Sequence, residues 1–191
     1  MIELKNVTFS YGEREILNNF SLTVNNGECV CLRSPSGGGK TTVFRLIAGL
    51  EAPQSGEIIA PEKLSVVFQE DRLIKGLSVK QNILLPLPKE RREYALSLAD
   101  KFGIGEYLQS PLRRLSGGMK RRVAIIRALS FGGDALILDE PFNGIDDQNK
   151  RIIAAIIKED FISKGIPVLI STHIPEDARL LDAKTIELNP Q

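Results

Sequence analysis

The chain is poor in several residues and patterns that define common protein classes. It carries two cysteines and one histidine among 191 residues. That is too few to assemble a zinc site. Cys29 and Cys31 lie two apart in an apolar run, so on a strand both face the same side. Thiols that close on one strand are poorly placed for an ordinary disulfide and read as small buried hydrophobes. An excess of one charge is also missing: 25 Lys and Arg oppose 24 Asp and Glu, for a formal net charge of +1. This balance argues against a protein that coats nucleic acid or another polyanion. No apolar run approaches the roughly 20 residues that span a bilayer. The opening Met1-Ile2-Glu3-Leu4-Lys5 is not a secretory signal. The expectation is a protein made and kept in the cytosol, reaching a membrane only through a partner. Internal repeats and low-complexity segments are absent too. The length suffices for one substantial core and a small second lobe.

What is present centres on one stretch. The apolar run Cys29 to Leu32 feeds Ser34-Pro35-Ser36-Gly37-Gly38-Gly39-Lys40-Thr41-Thr42, and an amphipathic helix is predicted over Thr41 to Leu50. Strand, glycine-rich loop and helix in that order make a phosphate-binding loop. Gly37, Gly38 and Gly39 carry no side chains, so successive backbone N–H groups can wrap a polyphosphate. The helix N-terminus adds its positive dipole end. Lys40 reaches the β- and γ-phosphates, and the Thr41 hydroxyl is placed to ligate Mg2+. Ser34 stands where the pattern has its first glycine.

Around this loop the chain reads as an α/β protein. Ile2 to Phe9 and Glu15 to Val24 read as strands, joined by the turn Tyr11-Gly12-Glu13-Arg14. Asn25-Asn26-Gly27 predicts a hairpin turn into Glu28 to Leu32, because Asn and Gly tolerate positive φ. Gly56 to Ala60 and Leu64 to Phe68 are short strands, the second followed by Gln69. Ser78 to Leu85 and Glu90 to Phe102 read as helices separated by Pro86 and Pro88. Gly118 to Phe131 is a helix. Ala135 to Leu138 is wholly apolar, the mark of a strand buried on both faces of a parallel sheet. Asp146 caps a helix predicted to run to about Lys164, with Ile152, Ile153, Ile156, Ile157 and Phe161 on one face. Ile166 to Ile170 is a buried strand leading to Ser171-Thr172-His173. A helix from Pro175 to Leu181 and a strand from Lys184 to Leu188 close the chain. Strands alternating with helices predict a mostly parallel core. The helices between Ser78 and Leu115 interrupt the alternation and read as an inserted lobe.

Two further segments carry chemistry. The apolar strand ends in Asp139-Glu140. Beside a phosphate-binding loop, Asp139 can hold Mg2+ directly or through water. Glu140 stands where a carboxylate can accept a proton from an attacking water. Leu115-Ser116-Gly117-Gly118-Met119 opens a basic helix, and reads as a second anion-binding concavity or as a plain helix cap.

With these pieces in order, the chain resembles the nucleotide-binding cassette of ABC transporters, from Met1 to about Leu188. Walker A matches Ser34 to Thr42, the Q-loop Val67-Phe68-Gln69-Glu70, and the signature Leu115 to Met119. Walker B matches Leu136 to Glu140, the D-loop Asn143-Gly144-Ile145-Asp146, and the switch histidine His173. The resemblance implies a P-loop NTPase core of mostly parallel sheet with an N-terminal antiparallel β subdomain. It implies one domain over 1–191, in which 1–77 and 116–191 form the core and about 78–115 a helical subdomain.

The function implied is binding and hydrolysis of ATP with Mg2+, driving a separate transmembrane permease. Tyr11 looks like the residue that stacks on adenine. Ser36, Gly37, Gly38, Gly39, Lys40, Thr41 and Thr42 look like the phosphate-binding set. Thr41, Gln69 and Asp139 look like the metal set, and Glu140, His173, Gln69 and Lys40 like the catalytic set. Ser116, Gly117 and Gly118 look like contacts to ATP bound on the opposite subunit. The implied partners are permease subunits and a second copy or a homologous cassette, head to tail. The implied location is the cytoplasmic face of the plasma membrane. Met119 replaces the usual signature Gln, and Asn143-Gly144 the common Ser-Ala.

Other classes explain less. A soluble ABC-type ATPase acting on DNA or ribosomes usually carries two cassettes or a long coiled coil. A small-molecule kinase would explain the loop but not Leu115 to Met119. Arg113, Arg114, Arg121, Arg122 and Arg127 are expected to face solvent or the other subunit rather than nucleic acid.

Overall fold

The structure, a computed structural model, describes residues 1–35 and 37–188. Two sheets build it. The first is antiparallel, in the order β2 (Arg14–Val24), β1 (Ile2–Tyr11), β4 (Ser55–Ile59). The second is parallel, in the order β5 (Leu64–Val67), β6 (Ala135–Asp139), β7 (Val168–Ser171), β3 (Cys29–Arg33), β8 (Lys184–Glu187).

The hairpin expected at Asn25-Asn26-Gly27 is not formed. Cys29–Arg33 pairs with β7 and β8 in the other sheet instead of folding back on β2. The turn itself is there: Glu28 N–H donates to the Asn25 carbonyl at 3.0 Å, and Asn25 N–H to Glu28 Oε2 at 2.9 Å. Burial decides what it connects. Every residue from Cys29 to Leu32 is buried, and the centre of a parallel sheet hides both faces of a strand, which a hairpin edge does not. The tight hairpin lies earlier, at Gly12-Glu13, where Tyr11 pairs with Arg14.

Strand β1 holds a second surprise. Its buried residues step from Leu4 to Val7, out of phase for a regular strand. A register shift lies there, and Asn6 has φ of 48°. The bulge takes up the extra residue and keeps Ile2, Leu4, Val7 and Phe9 on one face.

Alternation along the parallel strands sorts the core into two layers. Cys29, Cys31, Leu136, Leu138, Val168 and Ile170 face one cluster. Val30, Leu32, Ala135, Ile137 and Leu169 face the other. Helix α1 (Lys40–Ile47) lies in the second layer, where Val43, Phe44, Leu46 and Ile47 pack with apolar residues of both sheets. The first layer is covered by α4 (Gly117–Phe131) and α5 (Asp147–Asp160). Onto α4 pack α2 (Val79–Leu84) and α3 (Lys89–Lys101). The last helix, α6 (Pro175–Leu180), follows β7. Helix α5 stops at Asp160 and a short 3-10 turn, Ile162–Lys164, finishes the predicted run.

Candidate active site

Parallel strands point their C-terminal ends the same way, so the loops after β3, β6 and β7 meet along one edge. There they line a cleft of about 450 Å³ bounded by Gly37 to Thr42, Gln69, Asp139, Glu140 and His173, with Tyr11 at one end. Ser36, the remaining member of the expected phosphate-binding set, lies outside the described residues. Ser116, Gly117 and Gly118 do not line the cleft.

The loop before α1 is tight. Gly38 N–H donates to the Pro35 carbonyl at 3.0 Å, and a Cβ on Gly38 would come within 2.6 Å of Ser34 Oγ. The Ser34 side chain thus occupies space that Gly38 leaves open, which accounts for a serine where the pattern has glycine. Lys40 Nζ donates to the Ser34 carbonyl at 2.8 Å. The Thr41 hydroxyl donates to Asp139 Oδ2 at 2.9 Å. Asp139 is buried, and its other oxygen accepts from Ser171 Oγ at 2.5 Å.

Glu140 turns the chain off β6 with φ of 49°, a left-handed conformation that costs a non-glycine residue about 1–3 kcal/mol. Its N–H donates to the Ser171 carbonyl at 3.1 Å and to Ser171 Oγ at 3.0 Å. Its carboxylate Oε2 lies 3.0 Å from His173 Nδ1, a hydrogen bond in the tautomer with the proton on that nitrogen. Tyr11 is exposed, meets Phe9 edge-on at 4.8 Å between centroids, and donates from its hydroxyl to Glu51 Oε1 at 3.3 Å.

The residues fit Mg2+. That ion takes one or two protein oxygens and fills its remaining positions with phosphate and water. Thr41 Oγ1 and Asp139 Oδ2 meet at the cleft, and Gln69 lines the same wall. Among the described residues no group of three or more His, Cys, Asp or Glu makes a self-sufficient metal cage.

Sequence reasoning missed part of this surface. Arg14 and Ile16 line the cleft, and Arg14 Nη2 donates to the Gly37 carbonyl at 3.4 Å. Their only signal was proximity to Tyr11. The larger correction concerns the arginines in and just before α4. Arg113 and Arg114 are exposed as expected. Arg121 is 4% exposed, and Arg122 donates to the Phe102 carbonyl. Arg127 donates to the carbonyls of Asp71 at 2.9 Å and Arg72 at 3.1 Å. Burial lowers the Arg127 pKa from its ordinary value. Arg121 is internal and Arg122 and Arg127 are half-buried, because backbone carbonyls take up their donors. The signal was periodic: Arg121, Ala124, Ile125 and Ala128 follow helical spacing on a buried face.

A parallel sheet with a glycine-rich loop after β3, and a strand ending in carboxylates one strand away across β7, defines a P-loop nucleoside triphosphatase. The ABC transporter family model matches residues 17–143, and the chain belongs to that family. It is 34% identical to the aliphatic sulfonates import ATP-binding protein SsuB 1 of Shouchella clausii, over 93% of this chain and 72% of that protein. It is 37% identical to the thiamine import ATP-binding protein ThiQ of Brucella abortus, over 98% of this chain and 84% of that protein. Among solved structures it is similar to a dimeric bacterial ABC transporter cassette, with TM-score 0.86 and 30% identity over 98% of this chain and 94% of that one. A cassette in a post-hydrolysis state with ADP and phosphate gives TM-score 0.85 at 27% identity, over 100% of this chain and 95% of that one. The chain is an ATP-binding and ATP-hydrolysing subunit of an ABC transporter.

Proposed function

We propose that the triphosphate of ATP lies against Gly37 to Thr42 and that Glu140 accepts the proton of the attacking water. The convergence of Lys40, Thr41, Asp139, Glu140, Gln69 and His173 on one cleft carries this reading. Lys40 exchanges the Ser34 carbonyl for phosphate oxygens. Thr41 and Asp139, with Gln69, hold Mg2+, whose charge neutralises the phosphates. Glu140 sits one residue beyond the metal-binding Asp139, within a hydrogen bond of His173, which contacts the γ-phosphate. Tyr11 stacks on adenine with its open face, and Thr42 completes the phosphate set.

Ser116, Gly117 and Gly118 complete the site of a second copy, head to tail and twice, in keeping with two-fold symmetry. Gly117 faces open space, and Ser116 Oγ caps α4 by accepting from Met119 N–H at 3.3 Å. Residues 78–115 serve as the helical subdomain. A permease docks beside it, in the apolar groove that Leu64, Val66, Ile74, Leu85 and Phe131 line near Gln69. Ile74 and Leu85 are 48% and 64% exposed there, high for large apolar residues. Among the described residues no helix is long and apolar enough to cross a membrane, so membrane attachment runs through that permease, on its cytoplasmic face. The relatives are named for sulfonate and thiamine import, which favours import here. A DNA-directed role has less support, since Arg121, Arg122 and Arg127 spend their donors on this chain's own carbonyls.

The test is Glu140→Gln, which keeps shape and removes the base. The variant should bind ATP as the wild type does and hydrolyse it at least about 100-fold more slowly. Wild-type turnover would refute the role of Glu140. Lys40→Ala should instead weaken ATP binding, by the roughly 1.5–3 kcal/mol of a charge-assisted hydrogen bond.

A further inference from the structure

Among the described residues, Arg121 is the most heavily bonded side chain outside the cleft. Burying a guanidinium is costly unless its donors are satisfied. Here they are satisfied by two separate segments, Phe68 to Asp71 and Asp139 to Pro141. Nε donates to the Pro141 carbonyl at 3.3 Å, and Nη2 to the carbonyls of Glu140 at 3.0 Å and of Asp139. Nη1 donates to the Phe68 carbonyl at 2.6 Å and to Asp71 Oδ1 at 3.1 Å, and shares a proton with the Gln69 carbonyl at 3.3 Å. One side chain thus fastens the backbone at the end of β6 to the backbone after β5. Those two segments carry Glu140 and Gln69.

The placement matters most at Glu140. A left-handed non-glycine residue persists only where its surroundings over-determine it. Ser171 holds the Glu140 N–H from one side, and Arg121 holds its carbonyl from the other. Rotation of this residue toward ordinary φ would swing the carboxylate away from His173 and the cleft. We infer that Arg121 is a positioning residue for hydrolysis, holding Glu140 and Gln69 in fixed relation without touching nucleotide. The inference rests on the reading of Glu140 as proton acceptor. Arg121 does not line the nucleotide cleft, so its loss should act on turnover and leave affinity alone. Lysine keeps the charge but offers one nitrogen in place of three and cannot bridge both segments.

The experiment uses the whole chain with Arg121→Lys, Glu140→Gln, and the two combined. Arg121→Lys should lower kcat about tenfold or more while the ATP Kd stays within about twofold of wild type. Combined with Glu140→Gln it should lower the residual rate by less than about twofold, because residues acting as one unit are not additive. A wild-type kcat for Arg121→Lys overturns the inference, and so does an equal loss in both backgrounds. Asp71→Asn provides a second test that does not depend on Arg121→Lys folding. It removes the carboxylate partner of Arg121 and leaves the carbonyl contacts. It should lower kcat about threefold at unchanged Kd, and an unchanged kcat counts against the positioning role. The two readings fail differently. Wild-type turnover in Glu140→Gln refutes the acceptor itself. An inactive Glu140→Gln beside a fully active Arg121→Lys refutes only the positioning.

Discussion

Thr41 and Asp139, 98 positions apart, are joined by a hydrogen bond of 2.9 Å from hydroxyl to carboxylate. The contact ties the first turn of α1 to the end of β6 and brings together two oxygens suited to Mg2+. If the pair holds the metal, Asp139→Asn should weaken ATP binding about tenfold or more with Mg2+ present. With EDTA the change should stay within about twofold. Titration calorimetry under both conditions checks this, and equal losses would point to a role other than metal binding.

The proposed head-to-tail dimer puts Ser116 against nucleotide on the other copy. Glu140→Gln with ATP and Mg2+ should elute as a dimer by light scattering, and as a monomer without nucleotide. Adding Ser116→Arg should abolish the dimer and leave ATP binding largely intact. A dimer that persists with Ser116→Arg would refute the arrangement. Gly118 gives an independent probe. A Cβ there would lie 2.2 Å from the Gly144 carbonyl oxygen, so Gly118→Ala must displace the loop before α5, at a cost of about 1–3 kcal/mol.

Behind His173, Asp177 is buried and accepts from Lys150 Nζ at 2.8 Å. Thr172 Oγ1 lies 3.4 Å from its other oxygen. Removing one partner of a buried pair strands the other charge. Asp177→Ala should therefore destabilise the chain by about 3–5 kcal/mol. At about 2–4 °C per kcal/mol for this size, the thermal midpoint should fall by roughly 6–20 °C. Replacing both residues with apolar ones of similar volume should restore much of the loss. A midpoint unchanged by Asp177→Ala would show that the pair contributes little.

The two thiols make stability depend on alkaline pH. Burial pushes Cys29 up to about 12 and Cys31 up to about 11, from an ordinary 9.0. A raised folded pKa means the folded state keeps protons that the unfolded chain gives up. Their contribution is fully present below pH 9 and is lost as pH rises through 11 and 12. Urea midpoints should hold steady from neutral pH to about 9 and then fall more steeply for wild type than for Cys29→Ala with Cys31→Ala. Equal slopes would exclude the thiols as the cause. Thiol reagents should react slowly with the native chain and fully in denaturant.

The chemistry was legible in sequence wherever consecutive residues carry it. Gly37 to Thr42 and Leu136 to Glu140 each hold strand and functional groups in one short run, so local pattern and chemistry coincide. Arg121 was not legible in this way. Its acceptors lie at Phe68 to Asp71 and at Asp139 to Pro141, and no local pattern records what a side chain meets across the fold. Arg14 shows the same limit: a turn residue beside Tyr11 in sequence, it lies over the phosphate loop because the hairpin that carries it folds against that loop.

The sequence by itself determined the element types, the phosphate-binding loop, the carboxylate pair and the family. Each depends on side-chain periodicity or on the backbone freedom of particular residues, which are local properties. Tertiary structure alone decided that Asn25-Asn26-Gly27 passes the chain between two sheets. The turn chemistry is the same for either outcome, and the free energy of burying Cys29 to Leu32 on both faces makes the choice. It also decided that the arginine of α4 nearest the cleft lies inside. A buried guanidinium is stable only where carbonyls converge on it, and that convergence exists only once the two segments have packed together.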